Sequence, residues 1–570
     1  MPHPDSPYFI RVGHELLALD VPSSFKRAPV VGLLQALLSY LVGGRHPDLT
    51  AGWLLNSLLH PLNALLLWLV GRKIIGKAAD FLAVILILNP WVFLRLTETI
   101  AETTLMFFTL LTFYFIFRRS NWCYLFAALA SMVRYEGAAL IVAAFVTDMI
   151  MSDNARLRWR ALARSALAMI PLLLWLLGTH LTYREGAGHY FGHYLGGKNY
   201  DLLKYLTLIW QTSVMPLFEF APKLGSSPSV VFWGISKVIT FVVFMFGGVY
   251  ALLKRRWDVL ALLTFFILYF IVHAGRTSAK ERYYAPLFWI VVMVCCLGLR
   301  GLWRIVAHKF QFSRRAIYAL QVVVLLVSLV WTGILVSYLP DYCPAVSFLP
   351  WLALFVLAVI YFARLYVHGV SRFMGDLALL AVVFLTVVSN QFVLAERMAM
   401  KGVHDIEFKL MVDWYRQNAQ PGEKLLTSLP APVRMMVSPE EMDSFQHTAY
   451  VDSADPVAFT RDCLRQGVVY VTWDSRIGTA TRNSYYKRWH IEKIRMLIEP
   501  RSLMLMESDP LRPGRPRPVA YYKFLTGVGN RYRHINIFRL YEPADAPERP
   551  VRYCFYDKAK DTLTFRSVAP

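Results

Sequence analysis

Four short clusters set charge beside apolar sequence, and any acid–base or anion-binding chemistry in this chain would begin from them. The first opens it: Asp5-Ser6-Pro7-Tyr8, closed by Phe25-Lys26-Arg27-Ala28-Pro29. A carboxylate at the edge of an apolar surface can act as general base toward a hydroxyl when partial burial raises its pKa. The same Asp5 also reads as the N-cap or first-turn acid of the helix that follows, where it would offset the positive end of the macrodipole. Tyr8, Phe9, Val12, Leu16 and Leu17 recur at helical spacing with Arg11, His14 and Glu15 turned away, the pattern of an amphipathic helix lying on a membrane surface. Lys26 and Arg27 end the stretch as a basic pair.

The second cluster runs from Arg95 to Glu102. Glu98 and Glu102 share a helix face. Thr99 with Glu102 also spells a capping box, so this stretch reads either as a helix start or as the wall of a wetted cavity. In the third, Arg134-Tyr135-Glu136-Gly137, two opposite charges interrupt an apolar run. A buried pair shaping a turn accounts for them, and so does an arginine that binds phosphate. The fourth, Gly275 to Pro286, carries Arg276, Lys280, Glu281, Arg282, Tyr283 and Tyr284 beside hydroxyls. Its cations suit a lipid phosphate, bound by fork and point charge, or else are simply solvated. Asn56, His60 and Asn63 add a polar stripe to one helix face, turned toward other helices or a cavity.

The elements that position these clusters are apolar helices. Of 570 residues, 56% are hydrophobic and the mean hydropathy is +0.42, beyond what a soluble chain of this length needs to build its cores. The net charge of +22 sits in short clusters between apolar runs, the positive-inside pattern, and excludes the concentrated basic face of a nucleic-acid binder. Spans are expected at 51–71, 78–94, 103–117, 122–133, 137–151, 165–183, 230–253, 259–273, 285–303, 317–339, 348–367 and 377–394. That makes about twelve crossings, several of them short. Every second loop is basic: Arg72-Lys73, Arg118-Arg119, Arg156 to Arg164, Lys254-Arg255-Arg256, Arg304 to Arg315, and Arg372. Those loops read as cytoplasmic, which places the four clusters and both termini outside the cytoplasm in a plasma (inner) membrane. An N-terminus that begins outside with no helix to carry it there leads to the expectation of a further upstream span.

The residues divide into a first extracytoplasmic loop with its amphipathic helix (1–50), a multi-span region (51–394) and a soluble α/β domain (395–570). In the last, 405–417 has helical spacing, Pro421-Gly422 breaks it, and Val468–Trp473 and Ile535–Tyr541 read as strands. The sequence carries no HExxH, CxxC, P-loop or glycine-rich nucleotide fingerprint.

In order and sidedness the motifs resemble the GT-C membrane glycosyltransferases. They are the first-loop acid before an amphipathic helix, the basic closure ending in Pro29, Thr-Glu-x-x-Ala-Glu, Arg-Tyr-Glu-Gly, and Glu-Arg-Tyr-Tyr-x-Pro before a late span. The groups they are most similar to are the protein O-mannosyltransferases and aminoarabinose transferases. The resemblance implies a polytopic α-helical membrane protein with an extracytoplasmic α/β domain. It implies transfer of a sugar from a polyprenyl-phosphate carrier to a hydroxyl of a protein, lipid or glycan, with inversion. It further implies Asp5 as base, Lys26, Arg27, Lys280 and Arg282 on the donor phosphate, and Tyr8, Glu98, Glu102, Arg134 and Tyr283 lining the cavity or acceptor side. The acid that the family usually places after Asp5 is Ser6 here, which leaves divalent-metal dependence open. The bilayer and a lipid-linked donor are the partners expected. A transporter or flippase of lipid-linked glycans is the rival reading; it would carry charges deep in its spans, whereas here they gather at the outer edge.

Overall fold

The structure is a computed structural model, and it describes residues 6–22, 27–43, 47–80, 82–83, 100–152, 154–182, 227–274, 286–310, 319, 322–330, 408–427, 433, 436–438, 440–447, 456–473, 500–501, 520–525, 532–540, 552–557 and 562–567. Two compact units divide the chain, Tyr8–Arg397 and a unit made of Met398–Pro570 with Met1–Pro7. The expected spans 348–367 and 377–394 lie outside the described residues, as do most of 78–94 and parts of 317–339.

The larger unit is helical: α1 (Ser6–Leu17), α2 (Pro29–Val42), α3 (Pro47–Ile75), α4 (Glu102–Phe117), α5 (Trp122–Val133), α6 (Ala138–Met151), α7 (Ala155–Thr182), α8 (Ser227–Leu253), α9 (Trp257–Ala274) and α10 (Phe288–Phe310). Among the described residues three helices, Pro47–Ile75, Ala155–Leu181 and Phe288–Val306, are long and apolar enough to cross a membrane. Others, such as α4 and α5 with 16 and 12 residues, fall short of the roughly 20 a full crossing takes. The expected count of crossings is thus met at full length by few of these helices, because a hydrophobic run marks an apolar segment and not its length in the fold.

Helix ends follow local chemistry. α7 begins ten residues before the expected span at 165, since arginine is a good helix former and Asn154 caps the first turn, its Oδ1 accepting from the Arg156 amide at 2.8 Å. Arg156, Arg158, Arg160 and Arg164 therefore ride on the helix and not in a loop. α4 and α8 end alike, with the left-handed position of the closing turn held by Arg119 (φ 54°) and Arg255 (φ 50°). In each, one amide reaches back five residues and the preceding one three (Ser120 to Phe115 and Arg119 to Ile116; Arg256 to Ala251 and Arg255 to Leu252). The paired bonds and the favourable charge at a helix C-terminus offset the strain of a non-glycine there.

The Asn63 amide donates to the Thr103 carbonyl at 3.1 Å, so α4 starts level with the middle of α3. At the far end of α3 the Arg256 guanidinium reaches the Ile74 carbonyl at 3.3 Å, bringing the α8–α9 turn to Arg72 and Lys73. The Tyr124 hydroxyl donates to Asp148 at 2.8 Å, joining the start of α5 to the end of α6. Phe113 packs edge-on to Phe265 (5.7 Å) and Trp289 (5.8 Å), which ties α4, α9 and α10 into one core. Where α8 crosses α10 only glycine fits: a Cβ on Gly298 would stand 2.3 Å from the Val243 carbonyl oxygen, and one on Gly247 2.1 Å from that of Val294.

In the smaller unit a helix over 408–418 (α11) precedes β1 (Lys424–Thr427), and β2 (Phe445–His447), α12 (Pro456–Arg465) and β3 (Val468–Trp473) follow. β5 (Ala520–Leu525) and β6 (Tyr532–Arg539) complete a five-stranded sheet of order β2-β1-β3-β6-β5, parallel across β2, β1 and β3 and antiparallel beyond. β4 (Pro500–Arg501), β7 (Arg552–Asp557) and β8 (Thr562–Ser567) form a separate antiparallel sheet. Glu423 ties the first sheet together: it accepts from the Tyr470 hydroxyl at 2.7 Å and from Arg539 at 3.0 Å, while its own carbonyl accepts from Tyr415. Burial first, and then the bond to Glu423, push the Tyr470 hydroxyl up from its ordinary 10 to about 12. A proton held more tightly in the folded state makes stability fall as pH rises through the window from 10 to about 12. Alkaline unfolding followed by far-UV circular dichroism should show this fall, and Tyr470→Phe should flatten it.

Candidate functional site

The site forms where three separated segments meet, at the ends of α4, α5 and α6 opposite the Arg118–Asn121 turn. Glu102 is the first residue of α4 and Arg134 follows the last residue of α5. Because α4 and α5 run antiparallel through the Arg118–Asn121 turn, their other ends come together. The Arg134 guanidinium donates to Glu102 Oε1 at 3.0 Å and to Glu136 Oε1 at 3.1 Å, with a longer contact to Glu136 Oε2 at 3.4 Å. Both carboxylates are 2% exposed and Arg134 13%. Such a cluster holds only while each charge is matched, because an ion stripped of water and of its partner is costly. Gly137 lets the chain turn this tightly: a Cβ there would lie 2.3 Å from the Ala130 carbonyl oxygen.

Ala101 occupies the N-cap of α4 with Glu102 as the first helical residue, and Glu102 turns its carboxyl to Arg134, so the capping box is corrected. A buried cation 32 residues away is the stronger partner for a carboxylate than a helix-start amide. Arg134 is held by two carboxylates where the sequence suggested one.

Arg27 arrives by a different route. α1 and α2 cross where Gly13 meets Gly32, each at the place where a Cβ of the other would strike backbone, at 2.1 Å and 1.9 Å from Gly32 and Phe9 carbonyl oxygens. The connection between them ends at Arg27, whose guanidinium lies over the Phe9 ring at 5.6 Å and close enough to Tyr135 for its charge to act on the phenol. Arg27, Glu102 and Arg134 are thus brought to one region. Tyr8, by contrast, is 41% exposed, and no described contact joins it to this cluster. Asp5, Lys26, Glu98, Lys280, Arg282 and Tyr283 lie outside the described residues.

The apolar face of α1 meets protein. Phe9, Ile10 and Val12 are buried, and Val12 and Leu16 pack with Met132, Tyr135 and Trp175. The expectation of a helix lying on the membrane surface is corrected accordingly, since periodicity marks an apolar face without saying what covers it. α2 was not foreseen as a helix, although Pro29 at its first position and fourteen residues of apolar sequence signal one too short to span. His14 ties α1 to the start of α3 through Asp48 at 2.8 Å. The polar stripe is buried as expected of interhelical contact: Asn56 and Asn63 are fully enclosed and His60 is 7% exposed. Among the described residues no group of three or more His, Cys, Asp or Glu side chains is placed to hold a metal ion.

No protein-family model matches the chain, and no curated protein does. Among solved structures it is similar to ArnT from Cupriavidus metallidurans bound to undecaprenyl phosphate, at 15% identity and TM-score 0.46, over 83% of this chain and 88% of that one. The apo form of the same protein gives 14% and 0.44 over 84% and 90%. The Archaeoglobus fulgidus oligosaccharyltransferase, tethered to an acceptor peptide, gives 12% and 0.42 over 92% and 69%. Both proteins are GT-C superfamily members. At these identities no side-chain role passes from them to this chain.

Proposed function

We propose that this chain is an integral membrane glycosyltransferase that moves a sugar from a polyprenyl-phosphate carrier to an extracytoplasmic acceptor hydroxyl on a protein, lipid or glycan. The observation that carries the reading is the buried Glu102–Arg134–Glu136 cluster where α4 and α6 begin, opposite the basic Arg118–Asn121 turn, with Arg27 near enough to the neighbouring Tyr135 for its charge to act there. By the positive-inside rule the basic end is cytoplasmic, which puts the cluster on the outer side. In the reaction the bond between the anomeric carbon and the phosphate oxygen breaks, the acceptor oxygen bonds that carbon from the opposite face, and the configuration inverts. The leaving phosphate departs as an anion, so cations serve where an acid would otherwise be needed. Arg27, with Lys26, Lys280 and Arg282, receives that charge; Asp5 takes the acceptor's proton. Glu102 and Glu136 hold Arg134 in place, while Tyr8, Glu98 and Tyr283 complete the acceptor side.

The test uses the full chain in lipid nanodiscs with a panel of polyprenyl-phosphate hexoses and pentoses, with and without a chelator. Release of polyprenyl phosphate is measured. The chain should release it from at least one donor, and Arg27→Ala should raise the donor KM about tenfold, the loss of one charge-assisted contact. Movement of the intact lipid-linked sugar across proteoliposomes with no covalent product would instead identify a flippase and end this reading.

A further inference from the structure

α7 begins against its own dipole. Positive charge is unfavourable near the first turn of a helix, where the macrodipole is itself positive. Yet Arg156, Arg158, Arg160 and Arg164 all fall within the first ten residues of α7, and its first turn holds no acid. Three arginines at the other basic turns are answered from within the protein: Arg72 pairs with Asp80 at 2.8 Å, Arg256 pairs with Asp258 at 2.6 Å, and Arg118 lies over the Tyr114 ring at 4.8 Å. On α7 the Arg158 guanidinium donates to the Ser152 carbonyl at 3.0 Å, but Arg156 and Arg160 stand exposed with no acidic partner among the described residues. Burial on this helix keeps to one side, where Ala161, Ala168, Leu172 and Trp175 face protein. Trp159, 70% exposed, heads the opposite side, and Ile170, Leu173 and Leu177 follow it near whole numbers of turns, all exposed. Arg156 and Arg160 flank that stripe on one edge and Arg158 on the other.

We propose that the first turns of α7 bind the headgroup of an anionic phospholipid, held by Arg156 and Arg160 and flanked by Trp159. Residues four apart stack on one helix face, so the two guanidinia form a short cationic ladder. Each can take a phosphate in fork geometry. The ladder also lies at headgroup depth. At about 1.5 Å per residue, Arg164 stands about 3 Å and Arg160 about 9 Å before the apolar run that opens at Ala166, which spans a headgroup layer roughly 5–8 Å deep. An indole, with an apolar body and one N–H donor, belongs at the same depth. The charge of the ligand follows from the ladder. A zwitterionic headgroup would bring its own ammonium against the arginines, whereas an anionic one supplies the negative charge that this helix end lacks. The inference goes beyond the transfer reading, because it needs no sugar donor and no residue of the Glu102–Arg134–Glu136 cluster.

The test titrates the full chain, in an uncharged detergent, with phosphatidylglycerol or phosphatidylcholine and counts bound lipid by native mass spectrometry. The double variant Arg156→Gln, Arg160→Gln keeps helix propensity and alters no buried side chain. Lys73→Gln with Lys254→Gln, which removes two exposed cations from other basic turns, is the control. The parent should bind phosphatidylglycerol at least about tenfold more tightly than phosphatidylcholine, with the difference shrinking as salt is raised. The double variant should lose about tenfold in phosphatidylglycerol affinity, the weight of two charges at a headgroup surface, and the control less than about twofold. Adding phosphatidylglycerol should raise the melting temperature of the parent and the control and leave that of the double variant unmoved. Equal affinity of the parent for the two lipids overturns the proposal, as does a double variant that keeps the parent's preference. A control that loses as much as the double variant shows attraction by net charge alone and overturns it too.

Discussion

Arg134→Leu is expected to cost about 3–5 kcal/mol of stability, the penalty for leaving partnered charges buried without their counter-ion. Two carboxylates, Glu102 and Glu136, would remain at 2% exposure with no cation between them. Thermal unfolding in detergent reads this directly, and an unchanged melting temperature would show that the cluster does not form. The triple variant Arg134→Leu, Glu102→Leu, Glu136→Leu removes all three charges together and is expected to regain most of the loss, because apolar replacement of an entire buried ion cluster is often neutral or better. The triple variant also separates scaffold from site. A cluster that only joins α4 to α5 would leave sugar release intact once stability returns, whereas a cavity wall that orders the acceptor side would leave it abolished. We expect the second outcome.

Asp5→Asn should lower kcat between about a hundredfold and ten-thousandfold, the range spanned by loss of a general base, with the donor KM nearly unchanged. Asparagine is chosen because it caps a helix about as well as aspartate, so the variant keeps whatever the residue does for the start of α1. It removes only the capacity to take a proton. A cap would therefore leave Asp5→Asn fully active with an unchanged melting temperature, and that result would withdraw Asp5 from the mechanism while leaving the cationic part of the site standing.

What lay open in the amino-acid sequence was whatever depends on neighbours along the chain. The apolar runs of α4, α5 and α6 were placed almost to the residue because they begin and end at charged or polar positions such as Arg118-Arg119 and Arg134. β3 and the second half of β6 were legible from the apolar run Val468–Trp473 and the alternation over 535–541. The alternation of basic turns also foretold which helix ends share a side, and the contact of Arg256 with the Ile74 carbonyl agrees with it. Glu102 and Arg134 stand out in the sequence because charges in apolar surroundings are costly enough to require a reason, and Arg27 as part of the basic pair that closes the opening stretch.

What only the tertiary structure decided was which partner each of these groups takes. The carboxyl of Glu102 had a local use, closing a helix start, and a distant one, meeting a cation 32 residues on; the distant one prevails because α4 and α5 fold back on each other and bury both charges. The apolar face of α1 could meet lipid or protein, and hydrophobicity treats the two alike; the Gly13–Gly32 crossing and Trp175 make it protein. Trp175 is one tryptophan in an apolar run, and only the packing of α7 on α1 buries it with Val12. Spacing along the chain sets which residues share a face, but ion pairs and aromatic contacts act over a few ångströms, and only the packing of helices brings distant residues within that range.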